Sequence, residues 1–291
     1  MRPALAIGTI GLLALVACSR KPDRATRAKG VFHEVEIATP PGMSGLALDD
    51  RGILWAVPER DRRFVELTLE GKVTLHPMVG FPARVDTEGV AWLGDHRFAI
   101  TTEGQNEPTA TVIYAELQDG KLVATRTRAL TSAELGVELQ LNHGAEGVCG
   151  HGDDVIVGIE EVGRLPSGKR WAPIARLRGD ALTLTKLELT SETGKVSSLD
   201  CTIDPDGTAH VWAIERHFGV SRILRFDLPL GATQVTPRVA LDLSEILADS
   251  LNLEGIVQLP DGRLVAINDN QSRTVDGPSE LVIFEPGAGT R

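Results

Sequence analysis

Aromatic residues are scarce in this chain of 291 residues: seven Phe, four Trp and one Tyr. So few rings cannot build a platform on which bases or sugars stack. Cysteine is scarcer still, at three, and no Cys-x-x-Cys pair exists to hold zinc through thiolates. A membrane-spanning helix takes about 20 apolar residues. The uncharged, mostly apolar stretch Ala4 to Ala17 has only fourteen. The familiar hydrolase signatures are missing as well: no Gly-x-Ser-x-Gly, no Arg-His-Gly and no His-Glu-x-x-His. Positive charge is also in deficit. From residue 31 onward, 24 Lys and Arg face 39 Asp and Glu, a net of −15. Such a body repels phosphate backbones, which excludes nucleic acid as a partner, and it favours cations. A polyanionic substrate would need a bridging metal.

What is present at the front is an address. Met1-Arg2 followed by Ala4–Ala17 has the charged and apolar regions of a signal peptide. The run ends in Leu15-Val16-Ala17-Cys18, the four-residue pattern of a lipobox, where the cysteine thiol takes a diacylglyceryl group. The expected division is 1–17 lipoprotein signal peptide, 18–30 flexible basic tether and 31–291 one β-propeller domain. Arg20, Lys21, Arg24, Arg27 and Lys29 oppose only Asp23 in the tether. Lipidated Cys18 would anchor a monomer to a membrane without spanning it. Ser19 is not the Asp that suggests inner-membrane retention, so the periplasmic face of the outer membrane is the expected location within the cell envelope. Export permits a disulfide between Cys149 and Cys201, and two buried free thiols fit equally; the reading leans to free thiols.

The body repeats itself. Five segments each open a small-residue strand with a polar residue, turn, and return as an apolar strand ending on an acid. The pairs are Ser44 and Glu59, Glu88 and Glu103, Glu146 and Glu160, Asp200 and Glu215, and Glu254 and Asp269, separated by 15, 15, 14, 15 and 15 residues. Two further alternating segments follow each pair, as in Phe64–Leu69 and Val73–His76. Period-two alternation between Asp/Gly turns means antiparallel hairpins. Four short strands per repeat is the pattern of a propeller blade. The expected fold is therefore all-β: a single β-propeller of four-stranded antiparallel blades. Five blades are counted, or six if 119–141 or 162–195 hides a divergent unit. The last repeat lacks its fourth strand, and the run Val31–Thr39 can supply it and close the ring. Only Thr131–Leu135 and Leu243–Asp249 read as helices, both short.

Backbones crowd along the channel of a propeller, which explains Gly45, Gly89, Gly147 and Gly255, with Cys201 departing from the pattern. The residue before each glycine can face the channel, and the acids about fifteen residues on return to the same mouth. This makes Glu59, Glu88, Glu103, Glu146, Glu160, Asp200, Glu215, Glu254 and Asp269 candidate ligands of a hard cation, calcium before zinc or iron. Asn142, Asn252, Asn268 and Asn270 lie near them in sequence. The alternative is that each carboxylate accepts backbone N–H bonds from the next blade and only ties blades together. Both readings stay open. Glu146, Glu215, Glu254, Arg216 and His217 are the candidate catalytic residues. Arg216, His217 and His143 are cations that could hold a phosphate at the mouth, although His143 and His217 read rather as surface or hydrogen-bonded loop residues; Lys169 and Arg170 are weaker candidates.

Asp86-Thr-Glu-Gly-Val, Gly144-Ala-Glu-Gly-Val, Ile214-Glu-Arg and Asn252-Leu-Glu-Gly-Ile with Ala266-Ile-Asn-Asp-Asn resemble the phytase-like family, labelled "esterase-like activity of phytase". Exported propellers of the SdiA-regulated family share the Glu-Gly-Val/Ile phrasing and are the second resemblance. The first implies a calcium-dependent phosphoester or ester hydrolase of the cell envelope, acting on a small anionic ester. A calcium lactonase is a weaker variant. The other class of function left open is a non-catalytic propeller that binds an envelope protein.

Overall fold

The computed structural model describes residues 30–217, 219–247, 251–270 and 278–285. Short strands dominate because β-branched and aromatic residues alternate with polar ones between Asp/Gly turns. In chain order they open with β1 (Phe32–Ile37). A first antiparallel group holds β2 (Met43–Leu48), β3 (Leu54–Pro58), β4 (Arg63–Leu67) and β5 (Val73–Val79). A second holds β6 (Val85–Gly94), β7 (Arg97–Gly104), β8 (Ala110–Gln118) and β9 (Lys121–Leu130). The third comprises β10 (Ala145–His151), β11 (Asp154–Ile159), the two-residue β12 (Gly163–Arg164), β13 (Arg170–Arg178) and β14 (Ala181–Glu188). The fourth is β15 (Lys195–Ile203), β16 (Ala209–His217), β17 (Val220–Leu228) and β19 (Arg238–Asp242), with β18 (Gln234–Val235) reaching back in parallel to β14. The last is β20 (Leu253–Gln258), β21 (Leu264–Asn268) and β22 (Ser279–Phe284), and β1 pairs with β22 as its outer strand. The stretches 119–141 and 162–195 thus hold outer strands of the second and third units.

The fold is a β-propeller. The innermost strands β2, β6, β10, β15 and β20 each pack against the next, and β20 returns to β2. Five apolar clusters fill the gaps between neighbouring sheets, one per gap. In the gap between the first two units Trp55 stacks on Phe64 at 5.0 Å and meets the edge of Phe98 at 5.4 Å. Face-to-face packing is what makes each four-stranded sheet stable, since an isolated hairpin is marginal in water. Two helices cap loops. Helix α1 (Ser132–Leu135) starts with a reciprocal capping box between Thr131 and Glu134, and α2 spans Ser244–Leu247.

The glycines read from the sequence do sit where inner strands nearly touch. A Cβ on Gly45 would lie 2.4 Å from the Val90 nitrogen, and one on Gly147 2.5 Å from the Leu199 nitrogen. In the fourth unit the matching residue is Ser198, not Cys201. Its hydroxyl accepts the Ile256 N–H at 3.0 Å, so a small side chain is used rather than omitted. The lean to free thiols is corrected: Cys149 on β10 and Cys201 on β15 form a disulfide between adjacent inner strands. Their Cα atoms are 5.6 Å apart, inside the range a disulfide needs. Ring geometry, not sequence spacing, puts them there.

Candidate functional site

Each inner strand carries a β-bulge just after its start. The register slips between Met43 and Leu46, Thr87 and Gly89, Ala145 and Val148, Val196 and Ser198, and Leu253 and Gly255. A bulge re-aims one side chain, and the residues it frees are Ser44, Glu88, Glu146, Ser197 and Glu254. The second strand of each unit comes back to the same mouth. There Glu59, Glu160 and Asp269 donate their backbone N–H to Gly42, Gly144 and Asn252 at 2.8, 3.0 and 2.7 Å. At the same place Glu103 faces Asp86 and Arg216 faces Lys195 across the ladder. Three matched sets of five therefore surround the mouth.

That register corrects the fourth repeat. Its bulge is Ser197 and its closing residue Arg216, so Asp200 and Glu215 do not occupy the ring. The β15–β16 hairpin is longer than the others, and a constant offset of fifteen residues picks the wrong pair. Alternation then puts Glu215 on the face opposite to Arg216. Fully buried Glu215 accepts four hydrogen bonds, from the N–H and hydroxyl of both Thr190 and Ser191, at 2.5–3.0 Å. It is a structural tie and not a catalytic or metal-binding group. Asp200 is a second tie: its carboxylate accepts the Gln258 N–H of the next unit at 2.7 Å. Burial pushes it up to about 6 against the pull of the Gln258 and Cys201 amides. Asp200 lines a separate cavity of about 620 Å³ toward the other end of the inner strands, beside Trp92, His151 and the disulfide.

The remaining acids converge. One carboxylate oxygen each from Asp86, Glu88 and Glu103 lie within 4.8 Å of one another, and so do those from Glu103, Glu146 and Glu160. Glu103 belongs to both groups. Two oxygens that each lie about 2.4 Å from one calcium ion can be at most about 4.8 Å apart, so neither group is too widely spaced to share an ion. Crowding is written in the proton affinities. Burial first, then Glu103, Glu59 and Asp86, raise Glu88 well above the ordinary carboxylate range. Glu146 is likewise raised by burial and by Glu88, Glu160 and Glu103, with Arg216 pulling the other way. Glu103 is pushed up to about 7 by burial although the Gly144 N–H, donating at 3.0 Å, pulls it down. Glu59 also reaches about 7, through burial and then Asp269 and Asp86.

Glu254 and Asp269 share the side-chain amide of Asn252, at 3.0 and 2.8 Å. Arg216 lies among the carboxylates and pairs with Glu254. Burial lowers its guanidinium, opposed by Glu146, Glu160, Asp269 and Glu88. His217, partly buried, is lowered by burial and by Lys195. His143 is the hydrogen-bonded loop residue expected: its Nδ1 lies 2.9 Å from Glu161 and its Nε2 2.9 Å from Lys195 Nζ. Lys169 pairs with Glu188 at 2.6 Å, and Arg170 donates to the Ser191 and Gly194 carbonyls, outside the ring. Asn142 adopts a positive φ of 58° in a turn. Cys18 and the tether up to residue 29 lie outside the described residues.

Two charged members of the mouth escaped the reading of the sequence. Asp86 is two residues before Glu88 on one strand, so alternation alone places both on one face; the signal was there. Lys195 carried no such signal, because its place depends on the lengthened hairpin. Electrostatically the mouth is a set of eight carboxylates compensated only in part by Arg216, Lys195 and, at the rim, Arg60, which lies 3.3 Å from Asp86. A divalent cation would relieve that repulsion, and oxygen-only donors suit calcium or magnesium rather than a thiophilic metal.

No curated protein matches the sequence. Among solved structures, the PQQ-bound aldose sugar dehydrogenase of Streptomyces coelicolor is 11% identical with a TM-score of 0.49, covering 87% of this chain and 97% of that one. Regucalcin of Agrobacterium tumefaciens, a calcium-binding protein, is 13% identical with a TM-score of 0.39, covering 88% and 97%. Virginiamycin B lyase of Staphylococcus aureus is 9% identical with a TM-score of 0.44, covering 87% and 99%. Residues 33–158, which include Asp86, Glu88, Glu103 and Glu146, match the family model described as SdiA-regulated, the second of the two resemblances that the Glu-Gly motifs suggest.

Proposed function

We propose that the channel mouth binds a divalent cation of the calcium class, and that the protein uses it to hydrolyse a small anionic ester of the phosphoester type. The observation that supports this most is Glu103, shared between two groups of three carboxylates whose oxygens lie within 4.8 Å of one another. Holding those groups ionised without a cation is costly, which the raised Glu88, Glu103 and Glu146 register directly. Asp86, Glu88, Glu103, Glu146 and Glu160 would hold the ion. When bound, it would supply Lewis acidity toward an ester oxygen and lower the pKa of a bound water. Glu59, outside both groups and titrating near 7, is matched to accept a proton at neutral pH. Glu254 holds Arg216 in place.

Thermal unfolding in EDTA and then in calcium tests the cation. A ligand at 100 times its dissociation constant that binds only the folded state adds about 2.7 kcal/mol, and Glu146→Gln should lose that gain. Release of p-nitrophenol from its phosphate and carboxylic esters tests the chemistry. No calcium shift would sink the reading. A calcium shift without turnover on any ester would leave a cation-dependent binding platform for an envelope protein, the other class of function. We place this activity in the cell envelope through a lipid on Cys18, so Cys18→Ser should move the protein from the membrane fraction to the soluble one.

A further inference from the structure

Set against the second unit, the fourth differs at all three matched positions, although the first unit also has a serine, Ser44, at the bulge. Where the second unit has Glu88, Glu103 and Asp86, the fourth has Ser197, Arg216 and Lys195. The departure is concerted: two carboxylates become cations and the third becomes a hydroxyl. Ser197 is spent on the Leu253 carbonyl at 3.1 Å, which leaves Arg216 and Lys195 as the charged wall facing the carboxylates of the second and third units.

Among the described residues, neither cation spends all its donors. Arg216 has five N–H donors; it pairs with Glu254 through Nη2, while its Nε is buried without a hydrogen-bond partner among the described residues. Across that ion pair the Glu254 side chain is only 6% exposed, yet its Oε2 is also without a hydrogen-bond partner. Lys195 spends donors on Glu160 at 3.2 Å and on His143 at 2.9 Å. An ammonium can only donate, so the His143 Nε2 accepts and its proton sits on Nδ1, facing Glu161 at 2.9 Å. The line Glu161–His143–Lys195 thereby fixes the lysine at the mouth. A purely structural pairing would leave no buried donor or acceptor over, since such atoms are costly.

We propose that Arg216 and Lys195 form an anion subsite, and that the mouth takes the phosphate group of its substrate between these two side chains and the divalent cation. This rests on the cation reading above. Eight carboxylates repel a free anion, so phosphate is admitted only after the cation has neutralised the second and third units. By linkage the dependence is mutual: phosphate must tighten calcium by the same factor that calcium tightens phosphate.

Calorimetric titration of the whole protein, with calcium chloride alone, inorganic phosphate alone, and phosphate onto calcium-loaded protein, tests this. Phosphate should bind the calcium-loaded form at least tenfold more tightly than the EDTA-treated form. Lys195→Gln and Arg216→Gln should each weaken phosphate at least tenfold while calcium binds as tightly as before or more tightly. Two variants are used because Arg216→Gln unpairs buried Glu254 and can fail to fold; Lys195→Gln removes no buried partner of that kind. If calcium binds but phosphate does not, or binds both variants as it binds the parent, the anion subsite is wrong and the cation site stands. If calcium itself does not bind, both fall.

Discussion

Glu103→Gln separates a strained carboxylate from a stabilising one. In the folded protein Glu103 titrates near 7, and its ordinary value is 4.5. A carboxyl raised by folding binds its proton more tightly folded than unfolded, so it destabilises the protein increasingly as pH climbs from about 4.5 to about 7, and fully above. At 1.36 kcal/mol per pH unit the cost at pH 8 is on the order of 3 kcal/mol, and at pH 5 it is under about 1 kcal/mol. Glutamine keeps an oxygen to accept the Gly144 N–H, now at 3.0 Å, and carries no charge. In EDTA at pH 8 the variant should therefore melt above the parent by roughly 5–10 °C, with the gap nearly closed at pH 5. Adding calcium at pH 8 should raise the parent and leave the variant where it was. Scanning calorimetry at the two pH values, with and without calcium, reads all four numbers. A variant that melts below the parent in EDTA by the same margin at both pH values would refute the reasoning, because the charge at 103 would then be holding the fold together.

Glu215→Ala should cost about 3 kcal/mol or more, since four donors lose a buried charged acceptor, yet leave calcium affinity unchanged; urea unfolding and calcium titration of the same variant check both halves. Reducing Cys149–Cys201, which closes a loop of 52 residues, should lower stability by about 4 kcal/mol on the chain-entropy account, seen as a fall in the urea midpoint with and without dithiothreitol. Gly147→Ala drives a Cβ to 2.5 Å from the backbone of the neighbouring inner strand. It should destabilise by about 1–3 kcal/mol, with faster hydrogen exchange in both β10 and β15.

The architecture was legible because every level of the sequence repeats it. Alternation marks the strands, Asp/Gly marks the turns, and the Glu-Gly step marks close approach at the channel. Reading failed where one unit is longer than its siblings. Glu215 and Arg216 are neighbours in sequence and opposite in direction, so an error of one residue exchanged a buried tie for a member of the mouth. Small residues made a better ruler than acids: Ser198 keeps the close approach that Gly147 and Gly255 keep, and it locates the bulge at Ser197. The acids do not all sit alike. Glu215 and Asp200 are ties, Glu103 is tied to Gly144 and still faces the mouth, and the others converge. The disulfide could not be read, because two cysteines 52 residues apart meet only when adjacent inner strands are set side by side.

Pairing of β1 with β22 matches Phe32 to Phe284 and Ile37 to Ser279. As the chain is synthesised, the first strand waits for a partner that arrives some 250 residues later, and contacts of such range form slowly. Until then β22 has nothing to cover its outer edge, and an uncovered edge recruits whatever strand is at hand. In a crowd of nascent copies that strand can come from a neighbour, giving rings closed in trans. The closure that makes the finished molecule self-contained is thus also the step at which two unfinished molecules are most easily mistaken for one.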